Sequence, residues 1–270
     1  MRLISLNTWG GIEYDPLMDF IKKQATTTDF FCFQEMLSTS SNIKTITKQH
    51  QVRVNLLEEI MKVLPGYDYF FTPSLVGFDI YDVHTAEDIK KVDFDLKYGL
   101  VIFYKKDLVI TNKTFETIYQ VDTNKFDLSI GNFSVILQNI SIDINGKSLN
   151  LFNFHGAPSP GNKLDSDFRI KQSNKIKEYL LQAGGKNILV GDFNLMPNTK
   201  SIGMLDSLMR DLIKEFKVEK TRSKLNLING KPGDQKYADY TFVSENIKIE
   251  SFEVPDIAIS DHLPMILQFS

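Results

Sequence analysis

Apolar and polar positions along this chain switch repeatedly between the period of a strand and the period of a helix. RLISLNTW (2–9) opens as a strand. PLMDFIKKQA follows with Leu17, Phe20 and Ile21 at helical spacing, behind Pro16, a residue suited to a first helical turn. DFFCFQE is a buried-strand candidate, and VNLLEEIMKVL repeats its apolar residues near every 3.6 until Pro65-Gly66 stops it. YDYFFTP and YGLVIFYKK are rich in aromatic and branched residues and read as strands. From about 108 to 155 the pattern is all strand, with Asn145-Gly146 as a hairpin turn between FSVILQNISIDI and KSLNLFNFH. DSDFRIKQSNKIKEYLLQA is a long helix closed by Gly184-Gly185. Then come the strand NILVG, a helical stretch SIGMLDSLMRDLIKEF, and three strands, YADYTFVS, IKIESFEV and PMILQF. The order predicts an α/β (α+β) fold in one unit over residues 1–270, two packed sheets with helices outside.

Composition narrows the class. With 42% hydrophobic and 24% charged residues in 270, the chain has material for a sizeable core. No apolar stretch approaches the roughly 20 residues needed to span a bilayer, and no signal-peptide pattern opens the sequence, so no membrane insertion and a cytoplasmic location are expected. LVGF (75–78) is the nearest approach to a lipid-dipping patch. The single cysteine, Cys32, excludes an intrachain disulfide and a thiolate zinc cluster, and its apolar setting reads as core. A net charge of −3 tells against a duplex-coating surface. Two segments differ in charge: 74–98 holds six acids against three lysines, and 217–236 holds six basic residues against two acids.

Polar groups capable of chemistry stand where the apolar runs stop: Asn7, Glu35, His155, Asp192 with Asn194, Asp239 inside YADYTF, and Ser260-Asp261-His262 before the final strand. One such ending is a turn, but six suggest loops converging on one site. Carboxylates and an amide without thiolate are hard ligands, suited to magnesium or manganese, and calcium is also admitted. Histidines with acids beside them suit acid-base work or charge stabilisation, and a cation among such groups fits phosphoryl chemistry. Asp192 and Asn194, two apart, would face the same side of a strand, with Gly191 letting it open into a loop. The G-x-S-x-G elbow, the G-x-x-x-x-G-K-[ST] loop and the H-E-x-x-H pair are absent from the sequence. Ser260-Asp261-His262 has the letters of a serine triad, but neighbours in sequence point different ways. His50 and His84 belong to no such set. Trp9 reads as a core anchor or a flank of the site.

Taken in order, SLNTW, FQE, NFHG, GDFN, DYTFVS and SDHLP resemble the endonuclease/exonuclease/phosphatase superfamily, over residues 5 to 264. The resemblance implies a DNase I-like four-layer sandwich of two mainly antiparallel sheets flanked by helices, and a metal-dependent phosphoester hydrolase. It makes Glu35 the principal metal ligand, assisted by Asn7 and Asp261. Asp192 would activate the attacking water, and Asn194 would orient it or hold the phosphate. His262, steered by Asp239, would contact the scissile phosphate, and His155 would stand near the leaving group or the phosphate. In the DNase I branch a glutamate from the strand matched by KYGLVIFY partners that histidine; this chain has Tyr98 and Gly99 there, with Asp95 upstream, so the partner of His155 stays open. Lys163, Arg169 and Arg222 are the candidates for substrate phosphate. A phosphodiesterase or nuclease, with nucleic acid as partner, is the leading expectation; a phosphatase or phosphodiesterase on a small or lipid-linked phosphate, and a catalytically silent binding protein, are the alternatives.

Overall fold

The computed structural model describes residues 1–43, 52–81, 86–144, 146–228 and 231–270; Asn145, His50 and His84 lie outside them. The chain begins β1 (Arg2–Asn7), α1 (Tyr14–Gln24), β2 (Phe30–Ser38), α2 (Leu56–Val63) and β3 (Tyr67–Val76). It continues through the short β4 (Phe78–Asp79) and β5 (Lys90–Lys91) to β6 (Lys97–Lys105), β7 (Val109–Tyr119), β8 (Val135–Ile144) and β9 (Lys147–His155). Then come α3 (Asp167–Ala183), β10 (Lys186–Asp192), α4 (Lys200–Asp206), β11 (Arg210–Asp211) and α5 (Leu212–Glu215). The short β12 (Leu227–Ile228) and β13 (Lys231–Pro232) precede β14 (Asp239–Val243), β15 (Ile249–Glu253) and β16 (Met265–Phe269).

Two six-stranded sheets result, in the orders β15-β16-β1-β2-β6-β3 and β11-β14-β10-β9-β8-β7. Each has one parallel pair at its heart, β1 with β2 and β9 with β10, among antiparallel neighbours. The chain's two ends share one sheet, Arg2 opposite Gln268. The sheets pack face to face: Leu3, Phe30, Cys32 and Ile102 of the first share one buried cluster with Ile140, Leu151, Ile188 and Val190 of the second. Outside, Leu17 and Ile21 of α1 with Leu56 and Ile60 of α2 cover the far face of the first sheet, joining Ile4, Phe31 and Phe103. Ile176 and Leu180 of α3 belong to the larger cluster with β9 and β10. The fold is the expected α/β sandwich of two mainly antiparallel sheets.

Three details depart from the pattern. The stretch 201–216 is not one helix: α4 ends at Asp206, Arg210–Asp211 pairs with β14, and the Asp211 carboxylate caps α5 by accepting from the Ile213 N–H at 2.9 Å. A side-chain cap begins a second helix where apolar period alone shows continuity. Residues 120–134 are not strand; Asp122 and Asp127 accept from the N–H two residues on, at 2.9 Å each, forming Asx turns between β7 and β8. The interface between the sheets also carries amides. Gln34 donates to Asn153 Oδ1 at 2.6 Å, and Asn153 donates to Gln138 Oε1 at 3.2 Å. Gln138 in turn donates to Thr72 Oγ1 at 2.9 Å. Fully buried, these groups bond to one another and fix the register between the sheets.

Candidate active site

The parallel pairs decide where the polar groups meet. Asn7 and Glu35 stand at the C-terminal part of β1 and β2, His155 and Asp192 at the last residues of β9 and β10, with Asp192 directly opposite both His155 and Asp239. Packing the sheets brings the two sets together across the interface, where the Asn7 amide donates at 3.0 Å to Asp192 Oδ2 and at 3.0 Å to Glu35 Oε1. The Asn7 oxygen accepts from the Trp9 N–H at 3.0 Å.

Local backbone devices aim each group. β2 runs past Glu35 to Ser38, and its pairing with β6 slips between Phe33 and Met36. Glu35 lies in that bulge with φ 56°, and this turns its carboxylate out of the strand's alternation and into the cleft. Asp192 and Asn194 do not share a strand face: the Asp192 Oδ1 accepts from the Asn194 N–H at 2.8 Å, an Asx turn, and Asn194 has φ 55°. The Asn194 amide donates to Gly156 O at 3.1 Å, and its oxygen accepts from Lys163 Nζ.

Asp192 is the hub. His155 Nε2 and His262 Nε2 each stand 3.6 Å from its Oδ2. Burial works against its charge, but His262, Arg222 and Lys163 outweigh it and hold the carboxyl at about 2, ionised. Burial and the nearby Asp261 push Glu35 up to about 7, against the Asn7 bond; its other partner is the neutral Tyr81 hydroxyl at 3.3 Å. Burial lowers His155 to about 4, so its ring is neutral, and it lies tilted 32° against Phe133 with ring centroids 4.7 Å apart. Its Nδ1 faces the Tyr98 hydroxyl at 3.5 Å, so a phenol stands where a carboxylate partner was sought; Asp95 bonds Thr39 Oγ1 at 2.8 Å instead.

His262 Nδ1 lies 2.9 Å from both Asp239 oxygens, and its Nε2 meets Arg222 Nη1 at 2.5 Å. A guanidinium offers only N–H, so Nε2 accepts and the proton sits on Nδ1. Burial and Arg222 disfavour a second proton, but Asp239, Asp261 and Asp192 together raise the imidazole above its ordinary value. Arg222 Nη1 also donates to Asp261 Oδ2 at 2.8 Å. Asp192, Asp239 and His262 offer ligand atoms within 4.8 Å of one another, a set that could hold a metal ion. Ser260 donates to the Asn7 carbonyl at 2.7 Å and serves the backbone.

These groups line a cleft of about 530 Å³ walled by Trp9, Ile80, Tyr81, Leu128 and Phe133, with Lys163 and Arg222 inside it. Asn7 and Asp239 lie buried behind it. Arg169 is not brought there. It is fully buried and donates to the carbonyls of Leu164, Ala157 and Pro158, so it holds the loop that carries Lys163 and is no substrate contact. Lys220 pairs outward with Asp256 at 2.7 Å. Sequence reasoning passed over Tyr81, which comes from the acidic segment and has no motif around it.

The profile of the Endonuclease/Exonuclease/phosphatase family matches residues 4–262. The chain belongs to this family. Solved structures of similar fold include an endonuclease/exonuclease/phosphatase from Bacteroides vulgatus, 17% identical, with a TM-score of 0.71 over 100% of this chain and 98% of that one. A mannosyl-6-phosphatase from Bacteroides thetaiotaomicron is 17% identical, with a TM-score of 0.69 over 100% and 99%. The human Nocturnin catalytic domain with bound sulfate is 17% identical, with a TM-score of 0.64 over 100% and 93%. No curated protein sequence matches at a significant level. Membership makes the chain a relative of hydrolytic phosphoesterases, a family generally dependent on divalent metal. No helix among the described residues is long and apolar enough to cross a membrane.

Proposed function

We propose that this endonuclease/exonuclease/phosphatase chain hydrolyses phosphoesters by in-line attack of water, with residues 1–270 as one catalytic domain. The observation that carries the reading is Asp192: an ionised carboxylate buried among Asn7, His155 and His262 at one end of the cleft. There it accepts a hydrogen from water and holds the oxygen toward phosphorus. A carboxyl at about 2 is a weak base, so it orients the water and takes the proton only as the bond to phosphorus forms. His262 Nε2 is held by Arg222; once Arg222 turns to the phosphate, Nε2 is released toward the phosphate oxygens, and its raised affinity for a proton lets it meet their growing charge as imidazolium, with Asp239 holding the other nitrogen. His155 faces the leaving group's side and stays neutral until an anion arrives.

The donors fit a magnesium or manganese ion. Glu35 and Asp261 are hard oxygen ligands that repel each other, and Glu35 has only neutral hydrogen-bond donors around it. Glu35 and Asp261 would hold the ion, with Asn7 as a third ligand if its amide turns. The buried Asp192, Asp239 and His262 set is the other arrangement, but Asp239 already spends both oxygens on His262. When bound, the cation neutralises phosphate charge. No core group is missing, which disfavours a silent scaffold. A cleft of about 530 Å³ has the volume of a small-molecule site, and this favours a small phosphate over the nucleic acid that the leading sequence expectation named.

The test is Asp192→Asn assayed on p-nitrophenyl phosphate and bis(p-nitrophenyl) phosphate with Mg²⁺, Mn²⁺ or EDTA. Wild-type turnover should require metal, and the variant should lose about 10²–10⁴-fold in kcat with an unchanged unfolding midpoint. Equal rates in the two proteins would remove Asp192 from the chemistry.

A further inference from the structure

Lys163 is a buried cation whose ammonium touches no carboxylate; Asp192 and Asp261 act on it only from beyond contact. It is 9% exposed, and its ammonium donates to two neutral oxygens, Asn194 Oδ1 and Pro158 O at 3.3 Å. No carboxylate lies within ion-pair distance of it among the described residues. A charge desolvated in this way is unfavourable until an anion joins it. The position is built, not incidental: Lys163 holds a left-handed backbone (φ 58°), and its carbonyl accepts from the Met196 N–H at 2.8 Å. Arg169 ties down the carbonyls of Ala157, Pro158 and Leu164 around it.

Arg222 supplies the second cation. It spends Nη1 on Asp261 and His262, its Nε is buried, and among the described residues its Nη2 makes no hydrogen bond. Nη2 is therefore the end of the guanidinium left for a ligand. Both side chains line the same cleft, whose volume is that of a small-molecule site.

We propose that Lys163 and Arg222 form a paired-cation subsite for the terminal phosphate dianion of a small phosphomonoester, so that the chain removes phosphate groups in preference to cutting internal diesters. The proposal rests on the hydrolase reading above and names its substrate class. A monoester carries close to two negative charges at neutral pH and presents three unesterified oxygens, whereas a diester carries one charge and presents two. The third oxygen is the one two further cations would bind, and in a diester it carries a second alcohol. The step balances as a hydrolysis. Water oxygen bonds to phosphorus, the bond from phosphorus to the ester oxygen breaks, and the alkoxide leaves as alcohol by taking up the proton that water gives.

The experiment compares kcat/KM for p-nitrophenyl phosphate and bis(p-nitrophenyl) phosphate with Mn²⁺ in wild type, Lys163→Met and Lys163→Arg. Wild type should favour the monoester, and K163M should cut the ratio of monoester to diester by about tenfold or more while K163R largely restores it. A wild-type preference for the diester, or an equal loss on both esters in K163M, overturns the subsite. Arg222→Met serves in the same comparison if K163M does not fold. If wild type turns over neither ester, the hydrolase reading fails, and the subsite is judged by metal-free thermal shift. Inorganic phosphate should then raise the wild-type midpoint more than dimethyl phosphate does, with the difference lost in K163M. Equal shifts from the two anions would overturn it.

Discussion

Asp239 never reaches the cleft, yet the state of His262 depends on it. Both carboxylate oxygens face Nδ1 at 2.9 Å, so the ring proton is fixed there and Nε2 is left as the acceptor that Arg222 fills. Asp239→Asn keeps the shape but offers Nδ1 an N–H as readily as an oxygen. With the amide donating, the proton moves to Nε2 and meets the Arg222 N–H, donor against donor. The expected result is a fall in kcat of about 10²–10⁴-fold. The unfolding midpoint should barely move; wild-type kcat in D239N, measured with Mn²⁺ at saturating substrate, would show that tautomer control is unimportant. Tyr98 shows the same logic with a weaker partner. A phenol pushed well above its ordinary pKa by burial stays protonated, so it offers His155 a neutral hydrogen bond and no charge. The residue type was visible in the sequence, but its contact came only from the register of β6 against β2 and the packing of the sheets.

Gly191 sits where two strands of the second sheet come closest to the site. It has φ 141°, and a Cβ there would stand 2.0 Å from the carbonyl oxygen of Phe154 on β9. Gly191→Ala must push β9 and β10 apart and strain the backbone at once, so a loss of about 3 kcal/mol is expected. Urea unfolding checks it; an unchanged midpoint would mean that the pair spreads without resistance. The sequence reading has the strand open at this glycine; β10 instead runs through it to Asp192, and what requires a glycine is the close approach of the Phe154 carbonyl. The long helices and central strands were legible because their apolar period is sustained, as in α3 and β8. The bulge at Glu35 was not, since a period of two does not say which residue is the extra one. Nor was the polar seam: Gln34, Gln138 and Asn153 look like interruptions of apolar runs until the partner sheet supplies their bonds. The break between α4 and α5 hides for a similar reason, since Asp211 reads as a surface acid until it caps.

At the scale of the molecule, two buried groups of the site, Glu35 and His155, respond to pH in opposite senses. Glu35 stands at about 7 when folded against an ordinary 4.5, so its contribution to stability is present below 4.5 and is lost as pH rises through 7. His155 stands at about 4 against an ordinary 6.5, so its contribution is present above 6.5 and is lost as pH falls through 4. Between 4.5 and 6.5 the two slopes oppose, and the metal-free protein should show little pH dependence from this pair. A bound cation breaks the balance. If Glu35 holds it as proposed, the carboxylate must be ionised, so below pH 7 binding must first displace a proton and the apparent affinity should fall by about tenfold per pH unit. Calorimetric titration with Mn²⁺ should therefore show a loss of about tenfold from pH 6.5 to 5.5 and a smaller one from 7.5 to 6.5, with about one proton released per ion at the acid end. Thermal stabilisation by Mn²⁺ should follow the same curve and vanish with EDTA. An affinity independent of pH over that window would mean that the ion is held elsewhere, by groups already ionised, such as Asp192.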